Sequence, residues 1–130
     1  MKVCLSSTGT TLDSNVDPRF GRCAYFIIYD ISTDTFEYYA NESRDAMGGA
    51  GIQAAQKVIE KGAEAVISGN IGPNSFKVLQ SAPNGPIKIY SGVSGTIRDA
   101  IAQLKNNELK PVTSSSVQSH YGTGSGMGRS

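Results

Sequence analysis

GGAGIQAAQKVIEKGAEAVISGNIGPNSFKVL, residues 48–79, contains the change of rhythm that decides the fold. Ile52, Ala55, Val58 and Ile59 recur at helical spacing, and Gly62 stands where a helix C-terminus takes a residue tolerant of positive φ. AEAVIS, residues 63–68, is then a short buried-strand candidate. PNSFKVLQSA, residues 73–82, follows as a second helix with Pro73 at its first position, where a missing N–H is no loss. Helix, strand and helix in such close succession predict βα units, whose right-handed crossovers set helices on the faces of a sheet.

The pattern continues downstream. PIKIYS, residues 86–91, reads as another strand, and Ile97, Ala100, Ile101 and Leu104 form an apolar stripe on a third helix from about Thr96 to Lys105. Upstream, MKVCLSS opens with a β-type run, and CAYFIIYDISTDTFEYYAN, residues 23–41, reads as two strands joined by the turn STDT. Between them LDSNVDPRFGR, residues 12–22, is an irregular loop carrying Arg19 and Arg22. The expected architecture is α/β, a single domain over residues 1–111 with a mixed sheet and flanking helices in the order β-β-β-α-β-α-β-α. Residues 112–130, VTSSSVQSHYGTGSGMGRS, are poor in large apolar groups and read as a flexible Ser/Gly-rich tail.

Charge is nearly balanced, 12 basic against 11 acidic side chains for a net +1, so bulk electrostatics call for neither a nucleic-acid groove nor an anionic membrane. The longest apolar runs fall far short of the ~20 residues of a membrane helix, and the N-terminus has no signal-peptide core. Cys4 and Cys23 are too few for a disulfide framework and lack paired metal spacing, so a reduced, cytoplasmic setting is expected.

Chemistry is expected at the carboxyl ends of the parallel strands, where ligands of open α/β sheets bind. The joints there are SSTG, SGNIG and SGVSG, and the first helix is entered through MGGAG. Glycine permits close approach to the backbone, and the free N–H groups of a helix's first turn favour an anion. Gly49 and Gly51, Gly69, Asn70 and Gly72, and Ser91 with Gly92 are the candidate cradle. Arg19 and Arg22, around Gly21, supply positive charge. Cys4 reads as a small buried hydrophobe, whereas Cys23 follows RFGR, where two arginines could lower its pKa and make it a soft-metal ligand. No P-loop, GxSxG, HExxH or EF-hand spacing occurs, and the lone histidine, His120, falls in the tail.

Taken together, DPRFGRCAYFIIYD, the stretch 48–79 and IYSGVSGTIRDAIAQL resemble the dinitrogenase iron-molybdenum cofactor biosynthesis family, which includes NifX, NafY and the C-terminal domain of NifB. The resemblance covers residues 1 to about 110 and implies a ribonuclease-H-like sheet. It implies a non-catalytic carrier that holds a metal–sulfur cluster or its precursor in transit, containing molybdenum, iron or copper, as the orange protein of a sulfate reducer holds a molybdenum–copper sulfide. It also implies a protein partner for transfer. Nitrogenase-branch members tend to place histidine immediately before FG, where this chain has Arg19. That departure favours an anion held by arginines and backbone amides, with Cys23 as an optional thiolate. A small-anion or nucleotide sensor acting through a protein partner would use the same pocket. A ribonuclease-H-type nuclease is disfavoured, because KVCLSS offers no carboxylate at the sheet centre.

Overall fold

The computed structural model describes residues 1–115. The elements are β1 (Lys2–Ser7), β2 (Tyr25–Asp30), β3 (Thr35–Ala40), α1 (Ala50–Glu60), β4 (Ala65–Ile67), α2 (Pro73–Gln80), β5 (Lys88–Tyr90) and α3 (Ile97–Lys105). They form one five-stranded sheet in the order β3-β2-β1-β4-β5. β2 lies antiparallel to β1 and to β3, whereas β4 runs parallel to β1 and to β5. The mixed α/β sheet is the one expected from the element order, and its arrangement is the ribonuclease-H-like one that the family resemblance implies.

Alternation along the strands divides the core in two. Cys4, Phe26, Ile28, Val66 and Ile89 face α1 and α2, meeting Ala54, Ala55, Val58 and Leu79. Val3, Leu5, Ile27, Ala65 and Ile67 face α3, meeting Ile97, Ala100, Ile101 and Leu104. β1, central and covered on both faces, is buried from Val3 to Ser7, which is why its sequence reads as a continuous run rather than an alternating one.

Helix ends fall where the local chemistry places them. Gly62, at φ 80, follows the C-cap Lys61, and its N–H donates to the Ile59 carbonyl at 3.0 Å. Thr96 caps α3, its hydroxyl accepting from the Asp99 N–H at 3.1 Å.

Beyond α3, Leu109 packs on the α3 face and Val112 on the opposite one, so the chain passes around the β5 edge. There the Val112 N–H donates to the Ile89 carbonyl at 2.7 Å. A chain ending at Pro111 is expected to be about 1 kcal/mol less stable than one ending at Ser115, since it loses this hydrogen bond and a half-buried valine. Equal urea midpoints would show that the contact contributes nothing. Residues 116–130 of the tail, His120 included, lie outside the described residues.

Candidate functional site

Residues 8–24 do not leave the carboxyl edge of the sheet open; they run along it. Short bridges pair Ser7 with Val16, Asn15 with Thr96 and Arg19 with Asn70. Underneath, the hydroxyls of Ser6 and Ser68 lie 2.8 Å apart, and both reach the Asp17 carbonyl, at 2.8 and 3.4 Å. The serines of KVCLSS and VISG therefore hold the loop rather than a ligand. Phe20, 2% exposed, is the loop's apolar anchor, its ring centroid 5.3 Å from that of Phe26.

This loop decides which helix ends remain available. At α3, the N–H groups of Ile97 and Arg98 donate to the carbonyls of Ser14 and Leu12, both at 2.8 Å, and Thr96 takes the Asp99 N–H. Its dipole also faces a first-turn carboxylate, Asp99. The α3 joint is thus closed, and Ser91 and Gly92 leave the cradle: the Gly92 N–H donates to the Gly69 carbonyl at 2.7 Å. Gly69 is likewise removed from ligand contact. Its N–H is directed at the Asp17 carbonyl, 3.4 Å away, and a Cβ on it would stand 2.5 Å from Pro18 Cα. Glycine is required at 69 so that the loop can pass. The Asn70 carbonyl accepts from the Phe20 N–H at 3.2 Å, so this residue too serves the loop.

α1 and α2 are different. Neither has a side-chain cap, and neither has an acidic residue in its first turn. Their N-terminal ends open on one cleft of about 300 Å³, lined among others by Gly21, Arg22, Gly49, Gly51 and Gly72. The first-turn donors there with no partner among the described residues are the N–H groups of Ala50, Gly51 and Ile52 from α1, and of Asn74 and Ser75 from α2, because Pro73 has none. The two walls touch through glycine. A Cβ on Gly21 would stand 2.9 Å from both Cα and N of Gly51, and one on Gly51 would meet the Ser75 hydroxyl. Asn74 and Ser75 escaped the sequence reading. Pro73 at the first helical position was the available signal, because it leaves those two residues as the next donors.

Among the described residues Arg22 is the only charged one of the lining. Its Nη1 donates to the carbonyls of Arg44 and Ala46, each at 2.7 Å, which ties the loop after β3 to the cleft rim. Nε and Nη2 have no partner among the described residues, so part of the fork remains free for an anion. Arg19 is not in the lining. Its side chain is 62% exposed with Nε 3.5 Å from Asp17 Oδ1, a weak surface pair.

Cys23 contradicts the expectation of an activated thiolate. It is fully buried, and its Sγ points at the Phe20 carbonyl, 3.4 Å away. Desolvation pushes its pKa from an ordinary 9.0 up to about 12, so burial outweighs any arginine nearby. Cys4 is raised as well, first by burial and then by the charge of Cys23. Among the described residues no group of three or more His, Cys, Asp or Glu could hold a metal ion. Asp13 pairs with Arg98 on the surface at 3.1 Å, and Asp17 is buried with Oδ1 accepting from the Arg19 N–H at 2.9 Å, so these two carboxylates do not converge. No helix of the described residues is long and apolar enough to cross a membrane.

Comparison with known proteins agrees with the fold. The orange protein of Desulfovibrio gigas, solved in its apo form, superposes with a TM-score of 0.85 at 33% identity, covering 89% of this chain and 96% of that one. A Thermotoga protein provisionally described as NifB follows at 0.73 and 35% identity, covering 85% and 91%. An uncharacterised protein of Methanocaldococcus jannaschii is 29% identical over 114 residues, 85% of this chain and 94% of its own length. The family described as dinitrogenase iron-molybdenum cofactor matches residues 1–107, which span every strand and helix described above, and the chain belongs to that family.

Proposed function

We propose that the chain is a non-catalytic carrier that holds an anionic metal–sulfide cluster, or its precursor, in the α1/α2 cleft and passes it to a protein partner. The observation that carries this reading is the pair of uncapped helix N-termini opening on one cleft beside a partly free arginine. Such a donor set suits an anion: backbone N–H groups point at it, two helix dipoles add in sign, and among the described residues no carboxylate of the lining opposes it. Among the described residues the lining contains neither cysteine nor histidine, so it does not suit a metal held by thiolate or imidazole from them. The family description supplies the cargo class, iron and molybdenum. A volume of about 300 Å³ lies at the small end of the ~300–1,000 Å³ usual for ligand sites, fitting a compact inorganic species better than a nucleotide.

The test is titration with tetrathiomolybdate, followed by its visible absorbance. Arg22→Ala is expected to weaken binding about 10- to 100-fold, the loss of a charge-assisted donor worth ~1.5–3 kcal/mol. Arg19→Ala, outside the lining, should change it less than about threefold. Binding should also fall as salt is raised, because the ligand is held as a charge. Cys23→Ala should retain the coloured complex. Loss of the complex in Cys23→Ala, with Arg22→Ala unaffected, would overturn the cradle in favour of thiolate ligation. Nucleotide binding in place of the thiomolybdate would instead make the domain a sensor.

A further inference from the structure

The two edges of the sheet are finished differently. At β5 the Val112 N–H meets the Ile89 carbonyl, whereas β3, the opposite edge, is exposed along its length except at Tyr39. Its pairing with β2 runs unbroken from Thr35 to Ala40, and TFEYYA contains no proline, lysine or bulge, the usual protections of an edge.

The register shows which of its backbone groups are free. The Asn41 N–H donates to the Ala24 carbonyl at 3.0 Å, and Tyr25 stands opposite Ala40, so Asn41, Tyr39 and Glu37 turn their backbone groups towards β2. Phe36, Tyr38 and Ala40 turn theirs outward. No partner for these outward groups occurs among the described residues. On the α3 face β3 contributes nothing to the core, leaving Phe36 40% and Tyr38 54% exposed, with Tyr25 stacked edge-on against Tyr38 at 6.2 Å.

We propose that β3 pairs antiparallel with β3 of a second copy about a two-fold axis through Tyr38, joining two sheets into one. An isologous pair must be self-complementary, and directly opposite residues must share a face. An axis through Glu37 sets two carboxylates against each other and leaves the outward groups of Ala40 unpaired. The axis through Tyr38 uses the outward N–H and C=O of Phe36, Tyr38 and Ala40 together. It places Tyr38 against Tyr38 and Phe36 against Ala40 on the aromatic face. On the other face Glu37 comes opposite Tyr39 of the second copy, and that ring carries Lys61, whose Nζ is 5.1 Å from the centroid. Each Glu37 thereby faces a lysine across the axis, twice by symmetry. This charge complementarity singles out a second copy, rather than an unrelated strand, as the occupant.

Sedimentation velocity over a concentration series tests the pairing. The wild-type chain is expected to show a reversible dimer. Tyr38→Pro removes an N–H that β2 does not use, so the fold should stand while the dimer is lost. Glu37→Lys and Lys61→Glu should each weaken dimerisation by about tenfold or more, and the double variant, which reverses the pair, should restore it. A wild-type chain that stays monomeric at every concentration overturns the proposal, as does a dimer that survives Tyr38→Pro. If Tyr38→Pro does not fold, the charge reversal decides alone, and failure of the double variant to restore the dimer rejects this register.

Discussion

Phe20→Ala is expected to cost the fold about 3–5 kcal/mol, a large part of the ~5–15 kcal/mol that holds a domain of this size together. The ring is 2% exposed, packs against Phe26 and belongs to the core beneath α1 and α2. Removing it leaves a cavity that the surrounding strands cannot close, because they are fixed by their ladders. The urea midpoint should drop with little change in slope, since the surface exposed on unfolding is nearly the same. Ligand affinity should fall as well, because Phe20 positions Gly21 and Arg22 at the cleft. Phe20→Leu, which restores most of the volume, should recover much of both. By contrast, Asp13→Ala removes an ion pair whose side chains are 78% and 62% exposed, and its effect should stay within about 1 kcal/mol. A Phe20→Ala chain no less stable than Asp13→Ala would show that the loop is not anchored through its ring.

Phe20 also illustrates how far local pattern carries. The elements were legible because each is announced by neighbouring residues: Gly62 ends α1, Pro73 starts α2, Thr96 caps α3, and the apolar stripe of α3 recurs at helical spacing. The site was only half legible. SGNIG and SGVSG have nearly the same composition, yet the first leads to an open helix end and the second to a closed one. What separates them is the loop after β1, whose carbonyls at Leu12 and Ser14 take the first donors of α3. Those partners are far apart in sequence, and no local periodicity encodes them. Gly69 was misread for a related reason: glycine marks close approach, but the approaching group is Pro18 rather than a ligand. Cys23 shows the limit of charge counting, since RFGR beside a thiol suggests a thiolate only until burial is known.

That burial leads to the second large effect, a loss of stability in alkali. Below the ordinary thiol pKa of 9.0, Cys23 is protonated in both the folded and the unfolded chain and contributes no pH dependence. Between 9.0 and about 12 the unfolded chain releases the proton while the folded one keeps it, so the folded state binds more protons and stability falls as pH rises. The slope is about 1.4 kcal/mol per pH unit for one thiol. Cys4, raised by burial and by Cys23, acts with the same sign, and the buried Tyr39 phenol joins above its ordinary 10.0. With both thiols contributing, stability falls more steeply with pH than it would for Cys23 alone. Urea unfolding at a series of pH values on either side of 9.0 measures it. Cys23→Ala should lower stability at neutral pH, because a packed side chain is trimmed, yet make the alkaline slope shallower by about 1.4 kcal/mol per unit. A purely packing role for Cys23 would shift the whole curve down without changing its slope, so the slope, not the midpoint, distinguishes a thiol held neutral by burial from one that merely fills space.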